Sequence, residues 1–175
     1  MIHKNFINLC LTLLAVCWSV AVQAQTKLSV DGIDYSLYQS DMTATVTTWS
    51  NVSGHLVIPE KVVYEGEEYK VTRIDNEAFK NCSSLTSVNI PSSVTSIGDY
   101  AFAGCSSLTS VEIPSSVTDI GNYAFSGCSS LASVNIPSSV TAIGYKAFSG
   151  CSCLTSVNIP SSVTYIGGSA FYRCI

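Results

Sequence analysis

One passage of 23 residues, LTSVNIPSSVTSIGDYAFAGCSS from Leu85 to Ser107, begins again at Leu108, Leu131 and Leu154, and this repetition restricts the fold more than any other feature of the chain. Aligned on those leucines, 14 of the first 22 positions do not vary. The apolar ones form columns, such as Val88/Val111/Val134/Val157, Ile97/Ile120/Ile143/Ile166 and Phe102/Phe125/Phe148/Phe171. A single copy holds too few apolar side chains to offset the entropy lost in ordering its backbone. Copies laid side by side bury like residue against like, so the chain is expected to wind into a solenoid.

Within a copy, Val88 and Ile90 alternate with Ser87 and Asn89, the period of a strand with one buried face. Pro91 ends that strand, having no N–H to donate. Val94 and Ile97 point inward along a second short extended piece, and Gly98 follows where a sharp turn is expected. Asp99 to Cys105 is expected to make a helical turn that places Ala101 and Phe102 under the sheet. A period in the twenties headed by Leu-x-x-Val-x-Ile indicates a leucine-rich-repeat solenoid, β-rich, with short strands, helical turns and 23-residue coils.

The rest of the chain divides around these copies. Residues 1–24 carry Lys4, an apolar run from Phe6 to Val22 and a small residue, Ala24, before Gln25, the pattern of a secretory signal peptide. A membrane-spanning helix and a lipid anchor at Cys17 are the alternatives. Residues 25–53 contain β-forming segments around Asp31-Gly32 and Ser40-Asp41 and are expected to form an N-terminal β cap. Residues 54–84 are a first, atypical coil. Leu56-Val57-Ile58-Pro59 and Thr72 to Cys82 match the repeat, and nine extra residues between them, with a turn at Gly66, are expected to project as a hairpin. Residues 85–175 hold the four regular copies. Nothing polar covers the last of them, which suggests a longer parent chain or end-to-end self-association.

The string Leu-x-x-Val-x-Ile-Pro-x-x-Val-x-x-Ile-Gly-x-x-Ala-Phe-x-x-Cys resembles the BspA-type leucine-rich repeat of bacterial surface proteins, and Asp31 to Tyr35 and the hairpin before Val71-Thr72-Arg73-Ile74 are similar to the opening of such proteins from Bacteroidetes. The resemblance covers nearly all of the chain after residue 24. It implies a secreted or surface-displayed, non-catalytic binding protein. A host matrix protein or a bacterial surface protein would be the partner, with no cofactor. The alternative is a structural spacer or self-assembling element of the cell envelope.

Charge and chemistry agree with a binding role. Without the leader, 7 basic residues face 12 acidic ones, which suits neither nucleic acid nor an anionic membrane. Cys82, Cys105, Cys128, Cys151 and Cys174 recur at the period and are expected as buried thiols in one column. Stacked coils would also bring them within disulfide reach. No histidine accompanies them to complete a metal site. Cys153, standing where other copies have serine, is the candidate exposed thiol. Any Ser-His-Asp arrangement would have to be built on His55, the one histidine after the leader. The Thr95/Thr118/Thr141/Thr164 column lacks the parallel partner column of an ice-binding lattice. Binding is expected on positions that vary outward: Asn89, Glu112, Asn135 and Asn158 on the strands, and Tyr100, Tyr123, Tyr145 and Lys146 after the conserved glycine.

Overall fold

The computed structural model describes residues 25–48 and 52–174, so the expected leader at 1–24 lies outside the described residues. Among the described residues, no helix is long and apolar enough to cross a membrane. Each coil has three sides. The first side is a parallel sheet of five strands: β4 (Ser53–Val57), β7 (Ser84–Asn89), β9 (Ser110–Glu112), β11 (Ser133–Asn135) and β13 (Val157–Asn158). Its register sets Val88 beside Val111, Val111 beside Val134 and Val134 beside Val157, so each repeat column is one row of the sheet. The second side holds β8 (Ser96–Ile97), β10 (Asp119–Ile120), β12 (Ala142–Ile143) and β14 (Tyr165–Ile166), also parallel.

The second sheet continues past the repeats. Through β6 (Glu67–Ile74) it joins β3 (Thr43–Thr48), β2 (Ile33–Tyr38) and β1 (Thr26–Val30), the last three antiparallel to one another. β5 (Lys61–Tyr64) pairs antiparallel with β6. The β1–β2 and β5–β6 hairpins turn on two residues with left-handed backbone, Asp31-Gly32 at φ 51° and 81° and Glu65-Gly66 at φ 52° and 85°. That geometry matches the twist of the flanking strands, which explains the glycine at the second position of each.

One hydrophobic core runs from Ile33 to Ala170. Its axis is the phenylalanine column, in which Phe79, Phe102, Phe125, Phe148 and Phe171 stack face to face at centroid spacings of 5.1, 5.2, 5.3 and 5.4 Å. Beside it lie the cysteines as thiols, and Cys105, Cys128 and Cys151 each donate to a phenylalanine carbonyl of the preceding coil at 3.2 Å. Tyr35 is fully buried, and its hydroxyl has no hydrogen-bond partner among the described residues.

The third side differs from expectation in two ways. It is a run of turns rather than a helix. Ala101, Ala103 and Cys105 donate three residues back, to Gly98, Tyr100 and Phe102, whereas Tyr100, Phe102 and Gly104 donate to Asn122, Ala124 and Ser126 of the next coil. With every second amide committed to a neighbour, a continuous helical ladder cannot form. The role of Gly98 also changes, because its φ is not positive and the left-handed positions fall instead on Tyr100 (58°) and Gly104 (76°), and on their equivalents in the other coils. The glycine column is required by close approach: a Cβ on Gly121 would stand 2.6 Å from the carbonyl carbon of Gly98, and one on Gly144 2.5 Å from that of Gly121.

Candidate binding surface

The outward residues fall into two separate groups. On the five-stranded sheet, Asn89, Glu112, Asn135 and Asn158 lie in one exposed row set by strand register. His55 joins this face, with Nδ1 2.7 Å from the Ser87 hydroxyl oxygen. Among the described residues, no carboxylate is hydrogen-bonded to its ring.

Tyr100, Tyr123, Tyr145 and Lys146 gather on the turn side. Tyr100 and Tyr123 occupy the same place in successive coils, so coil stacking becomes ring stacking, at 4.5 Å between centroids and 7° between planes. Lys146 takes that place in the third coil. Tyr145, one residue earlier, meets Tyr123 edge to face at 5.4 Å. The Lys146 ammonium lies 5.7 Å from the Tyr123 ring centre and 5.2 Å from that of Tyr145, distances at which the ring quadrupole attracts a cation. Burial within the ladder pushes the Tyr123 phenol up, opposed by Lys146, and the Tyr145 side chain beside Lys146 holds its ammonium above the ordinary lysine value.

Side chains of the preceding column hold the ladder in place. The amide of Asp99 donates to the Asn76 side-chain oxygen at 2.8 Å, Asn122 to Asp99 at 2.7 Å and Tyr145 to Asn122 at 2.8 Å. The change from Asn76 to Asp99 to Asn122 therefore conceals one structural task, an outward acceptor for the next coil's N–H. The threonine column is similarly engaged, with Thr95, Thr141 and Thr164 hydroxyls donating to the threonine carbonyl one coil back at 3.2, 3.4 and 3.3 Å.

Three further members of this side were missed. Lys80 sits 5.0 Å from the Tyr100 ring centre and pairs with Glu77 at 2.7 Å. Arg173 lies 5.2 Å from the ring of Tyr172, which is 53 % exposed. Extending the repeat alignment back into residues 76–80 would have shown Lys80 and Tyr172 in one column, with Ala103, Ser126 and Ser149 between them.

The thiols divide as their surroundings require. Burial pushes Cys105 and Cys151 up to about 12 and raises Cys128 as well, so none of these is a thiolate near neutral pH. Cys153 is exposed. Among the described residues, no three His, Cys, Asp or Glu side chains converge as metal ligands. A cavity of 460 Å³ opens between Met42, Glu60, Lys61, Glu68 and Lys70, and across it Lys61 and Glu68 pair at 2.6 Å.

Two sheets of short parallel rungs closed by a third side of turns, all at a 23-residue period, define a leucine-rich-repeat solenoid. The chain belongs to the BspA type leucine rich repeat family, whose model matches residues 67–175 in six copies. A crystal structure of a leucine-rich repeat protein of T. pallidum is similar over 85 % of this chain and 68 % of its own, at 34 % identity and a TM-score of 0.76. A leucine-rich repeat protein from Bacteroides ovatus matches 82 % of this chain and 38 % of its own, at 36 % identity and a TM-score of 0.75. A leucine rich cell surface protein from Faecalibacterium prausnitzii matches 87 % of this chain and 53 % of its own, at 29 % identity and a TM-score of 0.64. The chain thus spans little more than half the length of the last and well under half that of the second. A search of curated proteins finds no match.

Proposed function

We propose that this chain is a secreted or surface-displayed binding module that engages a host matrix protein or a bacterial surface protein through the outside of the solenoid, without catalysis. The observation that carries this reading is the division of labour between positions. Repeat-invariant leucines, valines, isoleucines and phenylalanines fill the core of the inner coils, while most positions that differ between copies face outward and bring tyrosines and cations together. Aromatic side chains offer large contact area at small entropic cost, which suits recognition of another protein. The F. prausnitzii relative, described as a cell surface protein, supports an extracellular setting, as does the leader-like composition of residues 1–24. In this organisation residues 25–53 serve as the cap, 54–84 as the first coil and 85–175 as the repeat array.

The test is retention on immobilised matrix proteins and on intact bacterial cells, comparing the wild type with Tyr100→Ser/Tyr123→Ser and, separately, Asn135→Ala/Asn158→Ala. Loss in either double variant with an unchanged melting temperature supports a binding module and says which face it uses. Absence of retention on every surface, together with concentration-dependent growth in sedimentation, would favour the spacer or self-assembling element instead.

A further inference from the structure

Basic residues are scarce beyond Ile74, and all three of them, Lys80, Lys146 and Arg173, stand against tyrosine rings on the turn side. Lys80 is paired with Glu77. Among the described residues, neither Lys146 nor Arg173 has a carboxylate within salt-bridge distance. The acids beyond Glu77 are elsewhere or engaged. Asp99 accepts from the Asn122 amide and side chain at 2.7 and 3.3 Å, Asp119 accepts from Thr118 at 2.7 Å, and Glu112 lies on the other sheet. From Ile120 onward the sequence holds no acidic side chain at all.

We propose that the turn side between Lys80 and Arg173 is a docking strip for an extended acidic segment of a partner protein. This rests on the reading of the chain as a binding module and names the chemistry of what it binds. The rings of Tyr100, Tyr123 and Tyr145 form a ridge along the turn side. Their phenol groups can donate to carboxylates or backbone carbonyls, and Lys146 and Arg173 supply uncompensated positive charge at one end of the ridge. From the coil of Lys80 to that of Arg173 the strip crosses four coil-to-coil steps of roughly 4.8 Å, about the reach of six extended residues. The excess of acid elsewhere, above all Glu60, Glu65, Glu67 and Glu68 around the β5–β6 hairpin, disfavours an acidic partner on other faces and so directs it here.

The probe is a fluorescein-labelled peptide of alternating Glu and Ser, about a dozen residues long, followed by fluorescence anisotropy at low salt against the full chain. Its Gln-Ser counterpart and labelled heparin are the controls. Saturable binding of the Glu peptide but not the Gln peptide is expected, weakened about two- to fivefold by Lys146→Gln or Arg173→Gln, about tenfold by both, and not by Lys27→Gln on the distant β1 strand. Rising salt should weaken it further. Binding that survives the double variant would overturn the location, and equal binding of the Gln peptide would overturn the role of charge. Binding of heparin without the Glu peptide would overturn the partner class in favour of a sulfated polysaccharide. Failure to bind the Glu peptide at all would overturn the proposal, while retention on matrix proteins or cells lost in Tyr100→Ser/Tyr123→Ser would still uphold the binding module.

Discussion

At the scale of single residues, the close approach of coils leaves the glycine column no slack. A Cβ at Gly121 meets the backbone of Gly98 and Asp99 at 2.6 to 2.7 Å, and backbone cannot rotate away as a side chain can. Gly121→Ala is therefore expected to force two coils apart and to cost about 2–4 kcal/mol in urea denaturation. Tyr35 offers the opposite sign. Its hydroxyl is buried without a partner among the described residues, so it carries a desolvation penalty that they do not offset. Tyr35→Phe is expected to leave the ring packing intact and raise stability by about 1 kcal/mol, read as a higher urea midpoint at unchanged slope.

At the scale of the element, the third side of each coil stands because its amides are shared between neighbours. The outermost link runs through Asn76, Asp99 and Asn122, whose side chains accept from the following coil. Asn122→Ala would leave the Tyr145 amide with water as its partner and release the turn that aims Tyr145 at Tyr123. A loss of about 1 kcal/mol is expected, with faster hydrogen exchange at the Tyr145 amide and little change at the Val134 amide in the sheet. Asn122→Asp keeps the acceptor and should retain most of the protection.

At the scale of the whole molecule, buried thiols and a buried phenol make stability depend on alkali. Cys105 and Cys151 move from an ordinary value of 9.0 to about 12 on folding, and burial raises Cys128 and Tyr35 as well. A raised value means that the folded chain holds its protons where the unfolded chain has lost them. The stabilisation is complete below pH 9.0 and is lost as pH rises from there towards about 12. Each such thiol contributes on the order of 1.4 kcal/mol per pH unit to that loss. Melting curves should be flat from neutral pH to about 8.5 and fall steeply above it, and Cys105→Ala/Cys151→Ala should flatten the fall even as it lowers stability at pH 7.

How much was legible follows from what a repeat encodes. Period, inward columns, strand positions, the phenylalanine stack and the buried thiols were readable because identical residues at identical spacing must meet their own copies when coils stack. Two hairpins were readable from Gly32 and Gly66, since their turn geometry is local. Two things needed the folded chain: that the turn side is not helical, and that Gly98 is small for its neighbour's sake rather than its own dihedral. Each depends on which backbone lies beside which and at what distance. A one-dimensional pattern carries the identity of a contact, whereas its direction and closeness arise only when the coils are in place.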